Sequence, residues 1–163
     1  MCVRVSDERL SENLQKYENY KEQFKRLNSA LTNGFNLEAL FIEYAIMENR
    51  TESILRHAEK WEAYMSSRKG RTATIDSKIR AIQKMAEQKN TLPNKYFSDD
   101  LLIRIIAWKE DRNRLIHALI KQQFEHNEIR TLAEQGKYLA NELRNRAGNY
   151  NRAIDRRKAK EIP

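Results

Sequence analysis

The residues best suited to chemistry lie together in the hexapeptide 112–117, Arg-Asn-Arg-Leu-Ile-His. An arginine offers a planar fork of donors that matches phosphate oxygens, and a histidine exchanges protons near neutral pH. On a helix, Asn113 and His117 share one face, and Arg114 lies three residues before the histidine. Arg112 lies five residues before His117, about 140° around an ideal helix. It therefore joins that face only if a helix begins there, where the backbone is not yet regular.

The hexapeptide interrupts the most apolar stretch of the chain, residues 101–122. The apolar run LLIRIIAW comes before the charged run 109–114, and the apolar run LIHALI follows it. Because an Arg-Asn-His trio is costly to bury in a core, we expect it to face a cleft or an interface. Two arrangements are possible here: one long helix that carries a polar patch, or two helices that meet near Asp111.

An arginine, a polar residue directly after it and a histidine four to six residues beyond it resemble the signature of the HEPN superfamily. Arg112, Asn113 and His117 match that signature residue for residue. HEPN domains are small and all-helical, and many are metal-independent endoribonucleases of toxin–antitoxin pairs, abortive-infection systems and CRISPR effectors. The late position of the hexapeptide and the glutamate-bearing apolar helix predicted over 37–61 also resemble the family, but less specifically.

The resemblance implies a metal-independent endoribonuclease that acts as a toxin or defence effector, with no metal and no cofactor. The substrate's own 2′-hydroxyl would be the nucleophile. His117 would transfer protons, Arg112 would stabilise the phosphate charge, and Asn113 would orient His117 or a phosphate oxygen. HEPN nucleases usually pair two such motifs, so we expect a symmetric homodimer with both His117 side chains in a shared groove. An antitoxin or an effector complex is the expected protein partner.

Other sequence features offer less chemistry. Arg50 and His57 also satisfy the spacing, but Thr51 follows the arginine, and we interpret this pair as part of a solvated helix surface. The chain contains no HExxH motif, no glycine-rich phosphate loop and no GxSxG motif. The aromatic residues recur at helical spacing and are expected in the core or in a dimer contact.

The net charge of +8 favours an anionic partner. Part of the surplus lies in the basic tail from about residue 144, where Tyr150 stands among arginines, and part lies in the basic loop 68–71. We predict that several arginines contact an RNA backbone: Arg114, Arg144, Arg146, Arg152, Arg156 and Arg157. The alternative is a tail that only keeps the chain soluble.

The elements that must position these residues are helices. Four glycines and two prolines in 163 residues are too few for the turns of a sheet protein. Apolar residues at steps of three and four predict an all-α antiparallel bundle with four main helices and a shorter one. The predicted helices, with caps at Ser6, Asn36 and Ser98, are 6–33, 37–64, 75–88, 101–122 (one helix or two) and 128–146 or beyond. Segments 65–74 and 89–98 are predicted connections. The whole of 1–163 is predicted to be one domain whose basic tail frays.

Composition also limits the expected cellular location of the protein. The N-terminus has no apolar core of a secretory signal, and no run approaches the ~20 apolar residues of a membrane span. Cys2 is the single cysteine, so no internal disulfide is expected, and we place this residue on a flexible terminus. We therefore expect a cytoplasmic protein without a membrane partner. Two other functions fit the same sequence: a non-catalytic basic subunit that binds RNA, or a structural dimerisation module.

Overall fold

A computed structural model of the chain describes the backbone of residues 3–119, 121 and 126–161 and the side chains of 15, 18–119, 121 and 126–160. Cys2 lies outside this part of the chain. Over these ranges the chain forms helices and no strands, which confirms the all-α prediction. The helices are α1 (Val3–Thr32), α2 (Asn36–His57), α3 (Trp61–Ser67), α4 (Ile75–Ala86), α5 (Leu92–Phe97), α6 (Leu101–Ala118) and α7 (His126–Glu161).

The core lies between α2 and α7, which make the most extensive contact between any two helices described. Helix α1 packs along α2, α6 packs along α7, and α4 fills the space beside α2 and α5. The apolar stripes of these helices supply buried side chains such as Leu27, Leu40, Ile54, Ile105 and Leu143. Stripes of this kind drive helix packing because they remove apolar surface from water.

The second helix is shorter than predicted, because the chain turns sharply after residue 57. Glu59 adopts a φ of 57°, a left-handed conformation that a regular helix does not allow. Trp61 therefore belongs to α3 and not to α2. The two predicted connections also contain helix: α3 extends into 65–74, and α5 occupies most of 89–98.

The predicted caps are replaced by others. Ser6 lies inside α1, which begins at Val3, and the cap residue of α2 is Phe35 because Asn36 is already helical. Ser98 ends α5, and α6 begins three residues later at Leu101, whose backbone N–H donates to Oδ1 of Asp99 at 3.3 Å. These are shifts of a few residues, and they leave the main helices in place.

Helix α6 runs through Asp111 without a break, so the first of the two arrangements is the one observed. Ion pairs along the helix support this polar stretch: Arg104 with Asp100 at 3.2 Å, and Arg114 with Asp111 at 2.9 Å. The charged residues of the run 109–114 can remain in the helix because most of them point away from the core.

Helix α7 remains helical through the basic tail, as far as Glu161, where we expected a tail that frays from about residue 144. Ala147 and Tyr150 are buried, and the ring of Tyr150 packs edge-on against Phe97 with centroids 5.3 Å apart. Tyr150 is therefore a core residue. No helix in the described ranges is both long enough and apolar enough to span a membrane.

Candidate functional site

The guanidinium of Arg112 is held by aromatic rings and not by a carboxylate. Its Cζ lies 4.8 Å from the ring centroid of Phe41 and 4.7 Å from that of Tyr44, both on α2. It donates to Oδ1 of Asn113 at 3.0 Å, and its buried Nε has no hydrogen-bond partner among the described residues. Burial lowers the pKa of Arg112, and Tyr44 opposes this effect. The charge is thus fixed in position without a counter-ion in the described chain.

His117 lies exposed in the last turn of α6. The helix is regular from Arg112 to His117, so these two side chains leave it about 140° apart. A helix start at this point was the condition for Arg112 to join the face of His117, and that condition is not met, because α6 begins at Leu101. Asn113 connects the two, because it accepts from Arg112 and lies one turn before His117. Within one chain, the arginine and the histidine do not converge on a single point.

Arg114 faces a different place from the trio. It lines a cleft of about 380 Å³ between the end of α6 and the start of α7. Its side chain is 79% exposed and pairs with Asp111 at 2.9 Å. Arg112, Asn113 and His117 do not line this cleft. The trio instead lies in the C-terminal part of α6, where Arg112 and Asn113 are half-buried and His117 is exposed.

A larger groove, of about 1400 Å³, lies between α1, α2 and α7. We call it the basic groove, because five cationic side chains line it against one carboxylate, that of Glu52. The cations are Lys21, Arg50, Arg56, Arg144 and Arg152. His57 and five amide side chains complete the polar lining: Asn19, Gln23, Asn49, Asn145 and Asn149.

Two arginines of the basic groove are held as Arg112 is. The Cζ of Arg50 lies 3.6 Å from the ring centroid of Tyr20, and the Cζ of Arg144 lies 4.5 Å from that of Phe24. In the described part of the chain, neither arginine forms an ion pair with a carboxylate. Burial lowers the pKa of Arg50, Tyr20 opposes this effect, and the charge of Arg144 adds a smaller lowering. Arg56 differs, because it pairs with Glu52 at 2.8 Å.

The arginines predicted to bind RNA are dispersed over the surface. Arg144 and Arg152 line the basic groove. Arg146 points elsewhere and forms ion pairs with Asp99 and Glu142, so its charge is already compensated. Arg156 and Arg157 lie exposed near the end of α7, and Arg114 lies at the α6 cleft.

Sequence reasoning missed Arg50 and Arg56 as lining of a groove. The available signal was a polar row at helical spacing, with Asn49, Ser53 and Arg56 on the side of α2 away from its core stripe. Such a row is also typical of a solvated surface. Only the packing of α1 and α7 on both sides converts it into a groove.

Glu43 is the other ionisable group with unusual surroundings. It is fully buried on α2, and neither carboxyl oxygen has a hydrogen-bond partner in the described structure. Burial raises its pKa to about 9, against the opposing influence of Lys137. The neighbouring acids on α2 are compensated, since Glu48 and Glu52 each lie 3.5 Å from Nζ of Lys78.

Comparison with known proteins returned no match: no family model, no curated protein and no solved structure is similar to this chain. Over the described residues, no group of three or more His, Cys, Asp or Glu side chains is placed to hold a metal ion. The trio on α6 and the basic groove are therefore the candidate sites of the described chain.

Proposed function

We propose that this protein is a metal-independent endoribonuclease of the HEPN type, acting as an RNA-cleaving toxin or defence effector. The observation that carries the proposal is the guanidinium of Arg112, which lies over two aromatic rings (the aromatic clamp) and forms no ion pair with a carboxylate within the described residues. A cation held in this way is ready to bind a phosphate, because its geometry is fixed before the ligand arrives. His117 supplies an accessible imidazole on the same helix.

The reaction needs a base, an acid and a stabiliser of negative charge. One imidazole takes the proton of the 2′-hydroxyl as its oxygen attacks the adjacent phosphorus. The bond from phosphorus to the 5′-oxygen breaks, and a second, protonated imidazole gives its proton to that leaving oxygen. Arg112 stabilises the extra charge on the phosphorus oxygens in between. The products are a 2′,3′-cyclic phosphate and a 5′-hydroxyl.

A symmetric homodimer supplies the second histidine that the reaction needs. Two proton transfers call for two histidines, and each protomer offers one His117 at this place. Because Arg112 and His117 diverge within a protomer, the arginine of one chain acts most directly with the partner's His117 across a two-fold axis. Phe41 is 56% exposed beside Arg112 and offers apolar surface for that contact.

The test is cleavage of an end-labelled single-stranded RNA by purified protein, with and without EDTA. We expect products that end in 2′,3′-cyclic phosphate in both conditions. His117→Ala and Arg112→Ala should each lower the rate about 100-fold or more. Matched controls are His126→Ala and Arg130→Ala, which remove a histidine and an exposed arginine from α7. Cleavage that persists in His117→Ala contradicts the proposal.

The second candidate is a non-catalytic RNA-binding subunit, which the basic groove favours. Such a protein binds RNA with a steep salt dependence and is indifferent to His117→Ala. A chain that neither cleaves nor binds RNA but dimerises would be a structural module instead. The cleavage and binding measurements separate the three.

A further inference from the structure

The basic groove brings together two cations that folding alone does not need. Arg50 comes from α2 and Arg144 from α7, and both are partly buried in positions where each charge repels the other. Two like charges at a partly desolvated site raise the free energy of the folded state unless an opposite charge compensates them. Carboxylates compensate other arginines of this protein, among them Arg104 and Arg146. At Arg50 and Arg144 the described chain provides aromatic faces and no anion.

We propose that the basic groove between α1, α2 and α7 binds the phosphodiester backbone of single-stranded RNA without regard to base sequence. The choice of RNA as the polymer rests on the proposed function, whereas the affinity for a phosphate polymer rests on the groove alone. This site is separate from the trio on α6, since the trio does not line the groove.

The lining fits a backbone better than it fits bases. Tyr20 and Phe24 each have a guanidinium over one ring face, so neither ring is free there to stack on a base. Guanidinium forks and amide groups are the donors that proteins use on phosphate and sugar oxygens. The groove extends along α2 from Ala45 to His57. That is ~18 Å of helix, the length of about five nucleotides at the ~3.4 Å axial rise of a stacked strand.

An acidic polypeptide fits this lining less well. Its carboxylates would satisfy the arginines, but the guanidinium groups have no acceptor for the backbone N–H groups that a polypeptide also brings. A phosphodiester chain presents acceptor oxygens at every unit and no N–H in its backbone. The donor-rich lining therefore favours the nucleic acid.

The experiment measures fluorescence anisotropy of a labelled uridine 15-mer with the full-length His117→Ala protein, so that any cleavage is removed. The test variant adds Arg50→Gln and Arg144→Gln. The matched control adds Arg26→Gln and Arg130→Gln, which remove two exposed arginines of α1 and α7 that are paired with Glu38 and Glu134.

We expect the test variant to bind the RNA at least about tenfold more weakly than the parent protein does. Its slope of log K against log salt should fall by about 1.4, or ~0.7 for each phosphate that is no longer neutralised. The control should change less than twofold.

A charge-preserving variant, Arg50→Lys with Arg144→Lys, separates loss of charge from loss of fold. It should keep the salt slope while thermal unfolding reports the integrity of each protein. The proposal is overturned if the glutamine pair binds like its control. It is also overturned if polyglutamate displaces the RNA at the same charge concentration at which unlabelled RNA does, because an acidic protein is then the better occupant. The proposed endoribonuclease can fail independently, since RNA binding in the groove does not require His117.

Discussion

The carboxyl group of Glu43 on α2 occupies the space that a side chain at Gly136 on α7 would need. A Cβ added to Gly136 would lie 2.1 Å from Oε2 of Glu43 and 2.7 Å from Cζ2 of Trp108. The indole of Trp108 is itself fixed, because its Nε1 donates to the backbone oxygen of Leu132 at 2.9 Å. The glycine and the buried acid are therefore two parts of one packing arrangement.

Replacement of that glycine should destabilise the fold. Although alanine favours a helix over glycine by up to ~1 kcal/mol, overpacking costs about 1 to 3 kcal/mol. We expect Gly136→Ala to lower the free energy of unfolding, measured by urea denaturation. The control is Gly148→Ala on the same helix, where an added Cβ has no neighbour within 4 Å. It should leave stability unchanged or raise it, and equal effects of the two substitutions would contradict the packing argument.

The buried acid should make stability depend on pH. The pKa of Glu43 is about 9 in the folded chain and 4.5 ordinarily, so the folded state holds a proton that the unfolded state releases between these values. Its contribution is complete below pH 4.5 and is lost as the pH rises toward 9, at up to about 1.4 kcal/mol per pH unit. Glu43→Gln should remove this dependence, so the stability of the variant relative to the native protein increases as pH rises. Parallel stability profiles of the two proteins would show that Glu43 does not hold the proton.

The aromatic clamp should matter for cleavage more than for folding. Phe41 lies over Arg112 but is 56% exposed, so Phe41→Ala removes little buried surface. Loss of a cation–π interaction worth ~1 kcal/mol loosens the guanidinium, and we expect the cleavage rate to fall about fivefold to tenfold. The rates are compared at concentrations where size-exclusion chromatography shows the variant to be dimeric, because Phe41 also borders the proposed dimer contact. Phe35→Ala at the start of the same helix is the control, because Phe35 is similarly exposed at 61%. If both variants cleave like the native protein, the clamp does not position Arg112 for the reaction.

Arg146 and Arg152 should separate stability from binding. Arg146 forms ion pairs with Asp99 and Glu142, whereas Arg152 lines the basic groove and, among the described residues, donates only to Oδ1 of Asn149 at 2.7 Å. Arg146→Gln should lower the free energy of unfolding by up to ~1 kcal/mol and leave RNA affinity within about twofold. Arg152→Gln should leave the free energy of unfolding nearly unchanged and should weaken RNA binding. The opposite pattern would mean that the ion pairs of Arg146 are broken in solution.

The helices were largely predictable, because burial of an apolar stripe leaves a period of three to four residues in the sequence. The main misses were local. Glu59 adopts a left-handed conformation that its residue type does not favour, so nothing in the pattern announced the end of α2 at His57. The short helices α3 and α5 span only seven and six residues, too few for a period to show.

The candidate sites were predictable only in part. The trio on α6 stood out because its polar residues interrupt an apolar run, which is a local signal. The basic groove has no such signal, since Arg50 and Arg144 are remote in sequence and meet only after α2 and α7 pack together. The sequence likewise did not reveal that Arg146 pairs with acidic side chains. One of them belongs to Asp99, which precedes α6 in the chain, whereas Arg146 follows it.

The pairing of α2 with α7 also sets an order of events during synthesis. The apolar face of α2 is complete at His57, yet its main partner begins only at His126. At about 5 to 20 residues per second, a ribosome needs about 3 to 14 s to make the intervening chain. During that time α2 has α1, α3 and α4 to cover it, so the face of α2 that packs on α7 stays exposed until α7 emerges. The protein therefore completes its fold late, and loss of α7 would leave the apolar face of α2 without its main partner.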